Sequence, residues 1–227
     1  MRVSQAIEER ISCRSFLSKP VSLELLKTIL MKAGRSPSGG NLQPWHVFVI
    51  SGNELEKLLF SVQRELEVFP KGHPTEYSIY PRELGEVYRS RRFKCGEDMY
   101  SILKIGREEK EKRRKQFAKN FVLFGAPVGM FVFIDRNMGL PQWSDVGMYL
   151  QNIFLLSKEY GLDTCAQESW AVFHELVQAH VEAPKNLMLF CGVAIGYMDQ
   201  KNPINSLRTE RAPVREIANF IGFKDLR

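Results

Sequence analysis

The apolar run Pro127–Ile134 constrains this chain more than any other feature, because it is continuous and closed by the charge of Asp135. It is far too short to cross a bilayer, which takes about 20 apolar residues in a helix. It reads instead as a buried strand, and a buried strand needs a core around it. A chain of 227 residues can supply that core without disulfide staples. The hydrophobic share of 44% and charged share of 26% fit a globular protein rather than a disordered one. The expectation is one domain over residues 1–227. The N-terminal MRVSQAIEER lacks the basic start and apolar middle of a secretory signal, so a cytoplasmic location is expected. Cys13, Cys95, Cys165 and Cys191 lie far apart with no CxxC pair, which points to reduced thiols and to no metal site.

The net charge of +6 suits nucleic acid, an anionic membrane or a phosphorylated small molecule, and charge alone does not choose among them. Basic residues concentrate between Arg82 and Lys115, including Arg89, Arg91, Arg92 and Lys94. Glu108, Glu109 and Glu111 are mixed into the second half of that cluster, which reads first as a solvated helix laced with i,i+4 pairs.

Hydrophobic periodicity places a short helix over residues 3–11. A second begins at the cap Ser22, with Leu23, Leu26, Ile29, Leu30 and Ala33 on one face and Gly34 at its end. His46–Ile50 reads as a strand, and Asn53 as the cap of a helix reaching about Glu67. Val68–Gly85 has no clear period and reads as a long ordered loop. Two helical segments follow it. Beyond the Pro127–Ile134 strand come a helix from about Gln142 to Tyr160, a turn through Gly161–Trp170, a helix at His174–Val181 and a strand at Leu187–Gly196. A polar arm then leads to a last short helix at Arg215–Ile221. Few strands among many helices give an α+β class.

Four segments carry candidate chemistry. Arg10, Ser12 and Arg14 are spaced by two, so extended backbone would point two guanidiniums and a hydroxyl at one spot, fit for a phosphate. On spacing alone the commoner reading is two surface arginines paired with Glu8 or Glu9. In Ser36–Trp45, paired glycines allow close approach to a flat ligand, and Ser38, Asn41 and Gln43 could match a uracil-like ring edge. An ordinary glycine turn with Trp45 in the core fits equally. Gly161–Trp170 contains Cys165, but no histidine stands in a nucleophile signature with it, so its backbone N–H groups are the better candidates. Arg208 and Arg211 could close on the same phosphate from the far end of the chain, or form only a basic tail.

Taken together these segments resemble the nitroreductase family. Arg10, Ser12, Arg14 and Phe16 match RxSxR with its following aromatic, and Pro37–Trp45 matches PSGGNxQPW throughout. Gln142–Asn152, Gly161–Trp170 and Gly196–Pro213 are similar to the subgroup of nitroaromatic reductases acting on nitrobenzoates. The resemblance covers most of the chain.

It implies a nitroreductase-like fold, with a central, mainly antiparallel sheet flanked by helices. A lid spans about 68–115, and a C-terminal arm at about 198–227 extends onto a partner subunit. It implies a homodimer with FMN at the interface, no nucleic acid and no membrane. FMN contacts would come from Arg10, Ile11, Ser12, Cys13, Arg14, Arg208 and Arg211 around the phosphate, and from Pro37, Ser38, Gly39, Asn41 and Gln43 on one side of the ring. Cys165, Ala166, Gln167, Glu168 and Ser169 would face it from across the interface, with the main-chain N–H of Glu168 or Ser169 near flavin N5. Glu168 stands where the family commonly has a small residue. No catalytic side chain and no metal are implied, because the flavin carries the electrons. The expected activity is ping-pong reduction of nitroaromatic or similar electron-poor acceptors with NADH or NADPH. The alternatives are quinones, enones or halogenated phenols as acceptors and, from charge alone, a basic binding module.

Overall fold

The computed structural model describes residues 1–223; residues 224–227, at the end of the expected arm, lie outside the described residues. The chain folds as α1 (Val3–Glu9), β1 (Phe16–Leu17), α2 (Leu23–Ala33), β2 (His46–Ser51), α3 (Gly52–Val68), α4 (Glu86–Ile102), α5 (Lys110–Ala118), β3 (Val128–Asp135), α6 (Leu140–Glu159), β4 (Asp163–Gln167), α7 (His174–His180), β5 (Leu187–Met198) and α8 (Val214–Ile217). Short 3-10 turns occupy Gly39–Asn41, Lys119–Gly125, Glu168–Phe173 and Pro203–Ser206.

The five strands form one sheet in which β3 pairs with β2 and β5, while β5 also pairs with β4 and β1. Every strand pair is antiparallel. The apolar run that becomes β3 is buried along almost its whole length because both sheet faces are covered. Val128, Met130, Val132 and Ile134 meet Leu26, Ile29 and Ala33 of α2 and Val146, Tyr149, Leu150 and Ile153 of α6. Phe131 and Phe133 point the other way, onto Leu55, Leu58 and Val62 of α3 and onto Trp170, Phe173 and Val177. The three- and four-residue spacings in α2 and α3 are what lay those helices on the sheet.

Strand β5 changes face partway along. Val132 pairs with Cys191 but Phe133 pairs with Leu189, so Phe190 is the extra residue of a β-bulge. Before it Leu187 and Leu189 face the α3 side; after it Cys191, Val193 and Ile195 face the α2 and α6 side. The small residues Gly192, Ala194 and Gly196 are thereby turned toward the α3 side. A Cβ on Gly192 would stand 2.5 Å from Cδ1 of Trp170, so the missing side chain is the space in which that indole lies.

The structure corrects the sequence reading in several places. The stretch expected as a turn through Gly161–Trp170 contains β4, whose Asp163–Gln167 register runs from Gly196 to Gly192 of β5. Its mixed Asp-Thr-Cys-Ala-Gln composition hides the pairing. Helix α1 stops at Glu9 rather than residue 11, α6 starts at Leu140, and α3 begins at Gly52 rather than behind an Asn53 cap. The last helix is one turn, Val214–Ile217. The two-residue β1 is too short to leave a periodic signal. Residues after Val68 are irregular as expected, yet pinned: the His73 N–H donates to Val172 O at 2.9 Å, and Tyr77 Oη donates to Phe190 O. Among the described residues no helix is long and apolar enough to cross a membrane.

Candidate active site

The segment after α1 is held extended by the sheet. The Arg10 backbone already has φ −64° and ψ 126°. Ser12 forms a parallel bridge with Thr164, and the Cys13 N–H donates to Thr164 O at 3.0 Å. Extension sorts the side chains by parity. Ile11 and Cys13 are buried, while Arg10, Ser12 and Arg14 lie half-buried on the other face, along one cleft. That is the arrangement expected from the spacing of two.

The cleft has a volume of about 440 Å³ and draws its walls from three distant parts of the chain. The first is this extended segment. The second is Leu207, Arg208, Thr209 and Arg211, and the third is Cys95 of α4. Buried Asn205 joins the first two: its Oδ1 accepts from the Arg14 N–H at 2.8 Å, and its Nδ2 donates to Ser15 O and Asp199 O at 2.9 and 3.0 Å. Arg208 donates to Asn205 O at 3.0 Å, and Arg211 to Thr209 O at 3.0 Å.

Four guanidiniums therefore surround one cleft, and among the described residues none of them is paired with a carboxylate. The pairing of Arg10 and Arg14 with Glu8 or Glu9 is not formed. Glu9 accepts from Gln5, and Glu8, although on the cleft wall, makes no ion pair among the described residues. Burial and the adjacent charge of Arg211 lower the Arg10 guanidinium below its ordinary value. Like charges gathered in a half-buried space repel, and an anion with several oxygens relieves that repulsion.

The other candidate segments lie elsewhere. At Pro37–Gln43 the Gly39 N–H donates to Asp145 Oδ2 at 3.2 Å and the Gln43 N–H to Ser38 Oγ at 3.0 Å. Gly40, Asn41 and Gln43 all have positive φ, which leaves Gly39, Asn41 and Gln43 exposed on the α6 side. Trp45 stacks on Tyr149 with ring centroids 4.6 Å apart. None of these residues lines the arginine cleft of the same chain.

In the middle of β4, Cys165 is buried and burial pushes its thiol up to about 11, which disfavours the thiolate that a nucleophile needs. Ala166 and Glu168 are exposed. Glu168 is still surrounded by enough protein to raise its carboxyl above the usual range. Gln167 is buried and donates through Nε2 to Asn120 O at 2.8 Å. Gln167 Oε1, Ser169 Oγ and Trp170 Nε1 are buried polar atoms without partners among the described residues, close together in sequence. The first N–H groups of the following 3-10 turn, those of Glu168 and Ser169, have no partner within the turn.

Two findings are not visible in the sequence. Cys95 lines the arginine cleft, but α4 has no buried residue and no apolar stripe that would aim it there. The arginines of α4 are engaged within the chain rather than free to steer an anion: Arg89 pairs with Glu86, Arg91 with Glu216, and Arg92 lies over the Tyr80 ring at 3.9 Å.

Fold and cleft together define an α+β protein, an antiparallel sheet between helical layers, with a cationic cleft fit for a phosphorylated ligand. Residues 7–197 match the Nitroreductase family, and the chain belongs to that family. It is 32% identical over 219 residues to a nitrobenzene nitroreductase of Ectopseudomonas oleovorans, covering 96% of each chain. It is 33% identical to a 4-nitrobenzoate reductase of Pseudomonas putida, covering 96% of this chain and 94% of that one. Among solved structures it superposes with TM-score 0.95 and 40% identity on the FMN and NADPH-dependent nitroreductase NfnB from Sphigopyxis sp. strain HMH, covering 98% of this chain and all of the other.

Proposed function

We propose that this chain is an FMN-dependent NAD(P)H oxidoreductase that reduces nitroaromatic or similar electron-poor acceptors. The observation that carries the reading is the cleft of Arg10, Arg14, Arg208 and Arg211, unpaired among the described residues and set around Ser12. FMN ends in a single phosphate, and guanidinium forks bind phosphate oxygens in bidentate fashion. The main-chain N–H groups of Glu168 and Ser169, at the start of the turn after β4, offer a second place for a polar ring edge.

In this reading the four arginines and the Ser12 hydroxyl anchor the phosphate, with Ile11 and Cys13 fixing the backbone behind them. Exposed Ala166 and Glu168 and half-buried Ser169 would turn main-chain N–H groups toward flavin N5. When bound, FMN accepts hydride from the nicotinamide and gives reducing equivalents to the acceptor. Turnover is ping-pong, the nicotinamide leaving before the acceptor enters. The lid about 68–115 selects the acceptor.

Two copies complete the site. Pro37, Ser38, Gly39, Asn41 and Gln43 do not reach the arginine cleft of their own chain, so they flank the ring from a second copy. Exposed Met148 on α6 and Val214, Ile217, Phe220 and Ile221 in the arm supply apolar surface for that contact. The whole chain acts as one flavin-binding domain in the cytoplasm, where its thiols stay reduced.

The test is the double variant Arg10→Ala/Arg14→Ala. Each charge-assisted bond contributes roughly 1.5–3 kcal/mol, so losing one weakens FMN binding about ten- to a hundredfold. The variant is expected to leave gel filtration largely colourless and to melt at a lower temperature than the wild type. A fully yellow variant of unchanged stability would overturn the phosphate assignment.

A further inference from the structure

The segment that brings Arg208 and Arg211 to the cleft also carries acids. Between Leu207 and Ile217 the charged residues are Arg208, Glu210, Arg211, Arg215 and Glu216. Glu210 sits between the two cleft arginines in sequence and is, beside Glu8 on the cleft wall, a carboxylate close enough in the chain to neutralise either one. It does not do so. Glu210 turns to Lys94 of α4, with Oε1 3.3 Å from Nζ, and Lys94 is itself oriented by Asp98 at 2.8 Å. Three residues earlier on α4, and so on the same face, Arg91 takes Glu216 at 2.8 Å. The residue after Lys94 is Cys95, which forms the third wall of the cleft. Both acids of this stretch are thus held by one face of α4, while Arg208 and Arg211 have no carboxylate partner among the described residues.

We propose that α4 sorts the charges of the C-terminal segment. Lys94 and Arg91 are positioning residues that draw Glu210 and Glu216 away from the cleft, so Arg208 and Arg211 meet the phosphate of the flavin without competition from the acids of their own segment. A freed Glu210 lies one residue from Arg211, and a carboxylate there would satisfy the guanidinium that the phosphate needs. The lid helix therefore acts on phosphate affinity without touching the phosphate. This inference rests on the phosphate reading above, and its test keeps the two apart.

Full-length protein stripped of flavin is titrated with FMN and with riboflavin, which has the same ring and no phosphate, by quenching of flavin fluorescence. Wild type, Lys94→Met and Lys94→Met/Glu210→Gln are compared, with circular dichroism to check folding. Lys94 and Glu210 are both exposed, so the effect is modest. Lys94→Met is expected to weaken FMN about two- to fivefold and leave riboflavin unchanged, and removing the Glu210 charge in the double variant is expected to restore FMN affinity. A merely structural role for Lys94 would weaken both ligands and would not be rescued, which overturns the proposal. Unchanged FMN affinity in Lys94→Met overturns it as well. A wild type that binds FMN no better than riboflavin would instead remove the phosphate reading on which it stands.

Discussion

Gly192 decides where Trp170 can lie. A Cβ there would stand 2.5 Å from Cδ1 and 3.0 Å from Nε1 of the indole, which is fully buried and has Phe131 and Phe121 edge-on around it. The ring is confined on those sides. Gly192→Ala therefore forces it outward and is expected to cost about 1–3 kcal/mol, as overpacking of a core does. Urea unfolding followed by tryptophan fluorescence measures this, and an unchanged midpoint would show slack around the ring. Because Trp170 follows Glu168 and Ser169 in the same turn, the variant should also bind flavin less tightly. From sequence alone a glycine in a strand signals a bulge or a close approach. The bulge at Phe190 and the indole against Gly192 show that this strand has both, but only the fold names the approaching group. Arg10, Ser12 and Arg14 are the opposite case. Their shared face is legible without a tertiary partner, because a spacing of two on extended chain already sets it; spacing alone favours surface pairs with Glu8 or Glu9, and it is the family resemblance that points to a phosphate.

The elements differ in what holds them, and so in how readable they are. α2, α3 and α6 bury apolar faces with helical spacing, and β3 and β5 are apolar runs; all five stand out from the order of apolar and polar residues alone. β4 does not, since its burial comes from the strand beside it rather than from its own residues. α4 has no fully buried residue, and ion pairs tie it to its neighbours. Glu97 is the centre of that attachment, 2.8 Å from both Arg113 and Arg107. Hydrogen bonds from Arg113 and then Arg107 hold its carboxyl down at about 2, against an ordinary 4.5. A carboxyl lowered by folding stabilises the fold above its unfolded value, and that contribution drains away as pH falls from about 4.5 toward 2. Glu97→Gln is accordingly expected to lower the melting temperature slightly at pH 7, with the gap to wild type closing across that window. A gap that stays constant down to pH 2 would mean the ion pairs contribute nothing. The mixed charge of this region is readable as a solvated helix, and that reading holds; its hold on the arm's glutamates is not, because the partners lie more than a hundred residues away.

At the scale of the molecule, the dimer reading makes a firm demand on the arm. Ile217 and Ile221 are 70% and 89% exposed, and Phe220 lies between them in sequence. If a second copy covers them, Ile217→Asp/Ile221→Asp should halve the mass seen by light scattering and release flavin, since each site would lose the loop at residues 37–43. A wild type already of single-chain mass would end the dimer reading. The cleft has one more property, which follows from where its walls come from. Arg14 and Asn205, bonded at 2.8 Å, are 191 residues apart. Contacts of such separation form late and slowly, and a ribosome adding about 5–20 residues per second delivers the second wall long after the first. A nascent chain holding Arg10 and Arg14 but lacking Arg208 and Arg211 has half a clamp, so prematurely terminated products should emerge without flavin. If the four arginines hold the phosphate, flavin capture waits for synthesis through Arg211, and colour becomes a measure of chains that reach that far.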